Sequence, residues 1–198
     1  MIGQITPLVQ AASKKSWVQA VVAHWCGAIG SAALLGLALG ALGTALSVTR
    51  WQTAAILIVA AVFLFCAFRE ADITTCPVPS LRRQTPKKFM CAFGPIWGPF
   101  AWGLELGQGW TTSIEYVGYY AVVLWAFLLG GSFQGAVVLA IFGLGRGLPI
   151  LLAGLPRNAT AAGPLAAGYE THHSAIQTAN VLALAFVGSF LAAAGLML

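Results

Sequence analysis

Three long apolar runs constrain the fold of this chain more than any other feature. Residues 17–48, 51–68 and 175–198 contain no Asp, Glu, Lys or Arg. About 20 consecutive apolar residues are enough for one helix to cross the hydrocarbon core of a bilayer. A single segment inside lipid satisfies its own backbone polar groups only as a helix. The runs therefore predict an all-α fold, a polytopic transmembrane helical bundle.

Charged residues are too few for a protein with a water-facing surface. They make up 8% of the chain, against about 25% in a typical soluble domain. The net charge of +5 comes from basic residues that flank the apolar runs, and these form no basic patch of the kind that binds nucleic acid. We therefore expect the lipid bilayer as a partner and exclude nucleic acid.

The positions of the basic residues predict the orientation. Segment 69–88 is the most polar stretch, and it holds four Lys and Arg residues between positions 82 and 88. Cytoplasmic loops are enriched in Lys and Arg, so we expect 69–88 to be a cytoplasmic loop. The lysines at 14 and 15, two spans earlier, then lie on the same side. We predict an integral protein of the bacterial inner (plasma) membrane with a cytoplasmic N-terminus and an uncleaved first span.

The region 89–133 is too long for one regular span and is interrupted in its middle. We expect either one broken helix, unwound within 103–115, or two full spans, which gives five or six spans in total. Irregular backbone at membrane depth occurs where it is buried in protein or lines a cavity, and it often marks the binding centre of transporters. A polar loop is expected at 156–174. The predicted spans of the single membrane domain 1–198 are 17–48, 51–68, 89–133, 135–155 and 175–198.

One part of the chain resembles a known family. Gly109-Trp110-Thr111 is followed, further on, by Gly-Leu-Gly-Arg-Gly-Leu-Pro at 143–149. With these motifs, 103–155 resembles the second half of the CcdA/DsbD family, membrane thiol–disulfide electron carriers of the cytochrome c biogenesis type. The resemblance extends more loosely over 24–155. The resemblance implies a compact helical bundle with a broken helix at its centre. In that family two cysteines carry reducing equivalents from the cytoplasm to the periplasm.

The chain departs from this family where its chemistry takes place. Thr112 and Ser113 stand where the family motif has Pro and Cys, and the family's first helix, with the partner cysteine, has no counterpart. Disulfide exchange requires attack by a thiolate on sulfur, which a hydroxyl cannot replace. We therefore expect the family's fold without its usual chemistry.

Three functions remain open. The first is a small-solute or metal permease, or an assembly partner for an exported redox protein such as a thioredoxin-like protein. The second is a thiol–disulfide relay that uses Cys76 and Cys91. The third is a structural, non-catalytic subunit that packs against other membrane subunits. The sequence identifies no cofactor, and it contains no motif for hydrolysis or phosphoryl transfer, so an enzyme is not the expected class.

Cys76 and Cys91 are the candidate thiols. They bracket the basic loop, and neighbouring Arg and Lys side chains favour a reactive thiolate by lowering the pKa of a cysteine. Such a pair could exchange disulfides or bind a soft metal such as Cu(I) or Hg(II). The alternative is that both are incidental, because a cytosolic loop is reducing.

Ionisable and hydroxyl side chains inside the expected membrane region form a second set of candidates. A charge at the bilayer centre is costly and usually faces a partner or a cavity, so an ion pair of Arg146 with Glu105 or Glu115 is one interpretation. The other places both glutamates at the interface, with Arg146 extending to the headgroups. The candidate polar residues are Glu105, Thr111, Thr112, Ser113, Glu115 and Arg146.

Glycines at helical spacing are expected either to allow close packing of helices or to interrupt a helix. Gly36, Gly40 and Gly43 form such a series in the first run, where small residues let a second helix approach closely. The corresponding candidates in the later region are Gly107, Gly109, Gly143, Gly145, Gly147 and Pro149.

Overall fold

The structure is a computed structural model that describes residues 14–46, 51–75, 88–109, 116–128, 131–148, 150 and 159–197. The part of the chain that it describes contains helices and no strands. The predicted all-α class is thus confirmed. The helices are α1 (Lys14–Ala45), α2 (Gln52–Glu70), α3 (Lys88–Gln108), α4 (Gly118–Leu128), α5 (Ser132–Gly147) and α6 (Ala159–Met197).

Three segments of these helices are long and apolar enough to cross a membrane. They are Lys15–Ala45, Gln52–Glu70 and His173–Met197, and they coincide with the three runs recognised in the sequence. On α6, Leu182, Phe186 and Phe190 are exposed while Leu184 and Leu191 are buried. Large apolar side chains exposed along one helix face suit a lipid environment. The chain is therefore a membrane-embedded helical protein.

The beginning of α6 corrects one expectation. The segment 156–174 was expected to be a polar loop, but the helix already begins at Ala159. Five alanines lie between positions 159 and 167, and alanine is the residue with the highest helix propensity. Polarity alone therefore did not indicate the backbone conformation here.

The interruption in the region 89–133 lies at two places in the described backbone. Inside α3, Gly94 has φ 75° and ψ −173° and is followed by Pro95, which cannot donate to the helical hydrogen-bond ladder. The helix then continues to Gln108, so that Gly103, Glu105 and Gly107 are helical. It ends at Gly109, whose φ of 74° is the left-handed conformation that commonly terminates a helix.

The chain forms two compact units. The first consists of Met1–Ala32, Arg82–Ser113 and Ala140–His172, and the second of Ala33–Leu81, Ile114–Leu139 and His173–Leu198. The first unit thus contains the first part of α1, all of α3, the end of α5 and the start of α6. The second contains the rest of α1, all of α2 and α4, the start of α5 and the membrane-spanning part of α6.

In the first unit, glycines bring α1 against α3. A Cβ at Gly103 would collide with the His24 carbonyl oxygen and lie 3.0 Å from the Ala28 nitrogen. A Cβ at Gly143 of α5 would lie 2.7 Å from the Ala28 carbonyl oxygen. Backbones this close have no room for a side chain, so the first part of α1 packs directly against backbone segments of α3 and α5.

In the second unit, Gly36, Gly40 and Gly43 are all in close contact with other backbone. A Cβ at Gly36 would collide with the Gly135 carbonyl oxygen, and one at Gly40 would lie 2.6 Å from the Gly131 carbonyl oxygen. The packing role predicted for this series is thereby confirmed. The core of this unit contains residues from α2, α4 and α6, among them Ile56, Val59, Phe63, Ala121, Leu184 and Leu191.

Candidate functional site

His24 is the most deeply buried polar residue in the described part of the first unit. Its side chain is 0% exposed, and Nδ1 lies 3.2 Å from the Pro99 carbonyl oxygen. A carbonyl oxygen only accepts, so Nδ1 carries a proton and donates. Nε2 has no hydrogen-bond partner among the described residues. The imidazole ring is thus held against α3 by the hydrogen bond from Nδ1.

The surroundings of His24 explain its position. Its ring lies 4.9 Å, centroid to centroid, from that of Trp102, and the neighbouring Trp25 donates from Nε1 to the Gly147 carbonyl oxygen at 2.8 Å. Consecutive residues of α1 therefore bond to α3 and to α5. His24 was not among the candidate residues, although one ionisable side chain inside an otherwise uncharged apolar run was a usable signal.

The side chain of Arg146 on α5 contacts α3 at Leu106, the residue after Glu105. Its Nη1 donates to the Leu106 carbonyl oxygen at 3.2 Å, and its guanidinium carbon lies 5.8 Å from the centre of the Phe142 ring. The last turn of α5 and the last turn of α3 are joined by this bond. Glu105 is half-buried on α3, and its pairing with Arg146 stays a prediction.

Several predicted site residues lie outside the described residues. They are Cys76, Thr111, Thr112, Ser113, Glu115 and Pro149. Cys91 lies near the start of α3, where the structure describes only the backbone. A redox or metal role of Cys76 with Cys91 therefore stays a prediction.

The glycines predicted for the later region fall into different environments. A Cβ at Gly107 would collide with the Ala28 carbonyl oxygen, and one at Gly147 would lie 2.5 Å from Trp25 Nε1. Gly109 ends α3, as described above. By contrast, a Cβ at Gly145 would meet no described atom within 4 Å, so no packing contact accounts for this glycine.

A second polar centre lies in the second unit, at the end of α2. Glu70 is 7% exposed, and its Oε1 accepts a hydrogen bond from the Val117 N–H. One turn earlier, Cys66 Sγ lies 3.6 Å from the Val117 carbonyl oxygen and donates to it. Both polar groups of the Val117 backbone are thus bound by α2, just before α4 begins. A carboxylate at a helix N-terminus is favourable because the helix dipole is positive there.

Glu70 also connects α2 to α6. Gln177 Nε2 donates to the Glu70 carbonyl oxygen at 2.8 Å, and a pocket of about 350 Å³ opens beside this contact. The sequence placed Glu70 in the loop 69–88, whereas α2 extends to include it. The pocket is lined by Glu70, Ala71, Asp72, Ser174, Gln177, Thr178 and Val181.

Metal-ligating side chains do not converge in the described ranges. No group of three or more His, Cys, Asp or Glu residues there could hold a metal ion. The described thiols are free, Cys26 being exposed and Cys66 buried. Among the polar features that the described ranges bring together are the His24 contact with α3 and the pocket beside Glu70.

The fold and these two centres define the class of the protein, an all-α membrane-embedded protein with buried polar side chains bonded to the backbone of neighbouring helices. The chain is similar to the methylamine utilization protein MauF of Paracoccus denitrificans, with 29% identity over 142 residues. It is 30% identical over 142 residues to MauF of Paracoccus versutus and 27% identical over 140 residues to MauF of Methylophilus methylotrophus.

The similarity covers only part of each of these relatives. The matched residues make up 71% of this chain but 50%, 52% and 49% of the three MauF proteins. The chain thus spans about half the length of the curated relatives it matches. No family model matches the chain. No solved structure matches it either.

Proposed function

We propose that this protein is a membrane-embedded accessory protein of small-amine utilisation that supports the assembly of an exported redox enzyme. The observation that carries this proposal is the similarity over 71% of the chain to proteins named for methylamine utilization. Of the functions considered from the sequence, an assembly partner for an exported redox protein agrees best with that relationship.

The contacts of the first unit support an accessory role. His24, Trp25 and Arg146 each bond to a backbone carbonyl of a neighbouring helix. Polar side chains in membrane helices commonly stabilise helix association in this way. Their bonds fix the packing of α1, α3 and α5, which suits a protein that presents a defined surface to a partner.

The resemblance of 103–155 to the CcdA/DsbD family is part of the same proposal. Members of that family are membrane helical bundles that serve exported redox proteins. Because Thr112 and Ser113 replace the Pro and Cys of the family motif, we assign no thiol step to this segment. The proposal takes the helical framework from the resemblance and leaves the electron transfer aside.

Deletion of the gene in its bacterial host tests the proposal. We expect the deletion strain to fail to grow with methylamine as the sole nitrogen source and to grow normally with ammonium. The amine-oxidising enzyme should be exported but inactive, and a plasmid copy of the gene should restore both growth and enzyme activity. Growth, enzyme activity and uptake of labelled methylamine are measured in the same strains.

The competing functions give different results in this experiment. A permease predicts loss of labelled methylamine uptake together with a fully active exported enzyme. A thiol relay through Cys76 and Cys91 predicts that replacing both with Ser reproduces the deletion. Normal growth of the deletion strain on methylamine would refute the accessory function.

A further inference from the structure

We propose that the pocket beside Glu70, here called the α2 pocket, binds a primary ammonium group, with the Glu70 carboxylate as its counter-ion. The side chains that line the pocket are what would recognise an ammonium group. The choice of methylammonium as the amine to test rests on the proposed function.

Glu70 has one carboxylate oxygen committed to the protein and one available. Oε1 accepts from the Val117 N–H, whereas Oε2 has no hydrogen-bond partner in the described part of the chain. The residue is 7% exposed and lines the α2 pocket. Oε2 is not one of the buried polar atoms that lack a partner, so this oxygen is open to the pocket and can accept hydrogen bonds from a bound ligand. A cation in the pocket would supply such donors together with a charge of opposite sign.

The remaining lining matches the three N–H donors of a primary ammonium group. Gln177 uses its Nε2 on the Glu70 carbonyl oxygen, so its Oε1 can accept a hydrogen bond. Thr178 uses its hydroxyl proton on the Ser174 carbonyl oxygen at 2.8 Å, which leaves the lone pairs of that hydroxyl as acceptors. Val181 adds an apolar wall that suits a methyl or methylene group.

The charge of the α2 pocket favours a singly charged organic cation over a divalent metal ion. Its one buried carboxylate balances one positive charge. The second carboxylate, on Asp72, is 80% exposed and lies 3.9 Å from Arg69. Calcium takes six to eight oxygen ligands at short distance, of which one buried carboxylate supplies at most two.

A primary ammonium group can come from two sources at this position. Glu70 is the last residue of the candidate span Gln52–Glu70, so the α2 pocket lies where lipid headgroups meet water. The ligand is therefore either a free small amine or the headgroup of phosphatidylethanolamine. Both present the same –NH₃⁺ group.

Binding to the purified protein tests the inference. The protein is placed in phosphatidylcholine nanodiscs, and binding of labelled methylammonium is measured by equilibrium dialysis. Glu70→Gln keeps an oxygen acceptor for the Val117 N–H and removes the charge. We expect this variant to keep its thermal unfolding temperature. It should bind methylammonium about 10- to 100-fold more weakly, because that is the effect of losing one hydrogen bond to a charged group.

Three comparisons sharpen the result. Glu105→Gln removes the same charge in the other unit and should leave methylammonium affinity unchanged. Tetramethylammonium carries the charge without N–H donors and should not compete. Nanodiscs containing phosphatidylethanolamine identify the lipid source if they weaken methylammonium binding by the wild type and leave that of the Glu70→Gln variant unchanged.

Equal methylammonium affinity in the wild type and Glu70→Gln, no binding at all, or displacement by Zn²⁺ or Mg²⁺ without amine specificity would overturn the inference. The proposed function and the α2 pocket assignment can be refuted separately. Binding that depends on Glu70, together with normal growth of the deletion strain on methylamine, would refute only the accessory function. A clear growth defect without binding would refute only the α2 pocket assignment.

Discussion

At the scale of the residue, two buried polar side chains join helices that belong to different parts of the chain. His24 donates to a carbonyl oxygen 75 residues away on α3, and Glu70 accepts from a backbone N–H 47 residues away, just before α4. Each therefore joins helices that are distant in the sequence. Ionisable residues in such positions are rare, because they are costly in lipid unless their polar atoms are bonded.

The hydrogen bond of His24 can be measured by substitution. His24→Leu keeps most of the volume and removes the bond to Pro99, and we expect it to lower the free energy of unfolding by about 1 kcal/mol. His24→Ala also leaves a cavity against Trp102, for a total of about 2–4 kcal/mol. Unfolding in mixed micelles with increasing SDS measures both values.

His173 provides the control because it is exposed on α6. His173→Ala should change the free energy of unfolding by less than about 0.5 kcal/mol. If His24→Leu is as stable as the wild type, the bond between Nδ1 and the Pro99 carbonyl oxygen contributes nothing to stability, and our account of α1 packing on α3 is wrong.

At the scale of the element, close backbone contact through glycine determines how α1 packs. Gly103 and Gly107 of α3 approach α1 in the first unit, and Gly36, Gly40 and Gly43 of α1 make the corresponding contacts in the second. Apolar burial gives little drive for helix association in lipid, so van der Waals contact at short distance takes its place.

Alanine substitution at two helical glycines separates packing from helix propensity. At Gly36 the new Cβ would collide with backbone atoms of Gly135, so we expect a loss of about 1–3 kcal/mol by overpacking. At Gly30 the Cβ would meet no described atom within 4 Å, and Ala is about 1 kcal/mol better than Gly in a helix. Gly30→Ala should therefore be neutral or stabilising in the same SDS titration, and a similar loss in both variants would contradict the packing model.

At the scale of the whole molecule, the membrane location follows from the three long apolar helices, whereas the orientation is a prediction from the basic residues. Green fluorescent protein fused to a membrane protein fluoresces only on the cytoplasmic side. Fused alkaline phosphatase is active only on the opposite side of the membrane. We expect fusions at the N-terminus and within 69–88 to give fluorescence and no phosphatase activity. Phosphatase activity at either site would show that the orientation predicted by the positive-inside rule is wrong.

The sequence by itself determined the membrane location, the all-α class, the three long spans and the packing role of Gly36, Gly40 and Gly43. These properties depend on hydropathy and residue spacing over about 20 neighbouring positions, so they can be read locally. The conformation of Gly103–Gly107 and of the segment after Ala159 was less accessible, because polarity and glycine content lower helix propensity without abolishing it.

Only the tertiary structure decided which polar groups matter. Nothing in the sequence around Glu70 shows that its carboxylate binds Val117 or that Gln177 completes a pocket beside it. The same holds for His24 and Pro99. Such contacts join residues far apart in the chain. They form because helix packing removes certain backbone groups from water, and these groups then need a partner within the protein. The packing that buries them exists only in the folded protein.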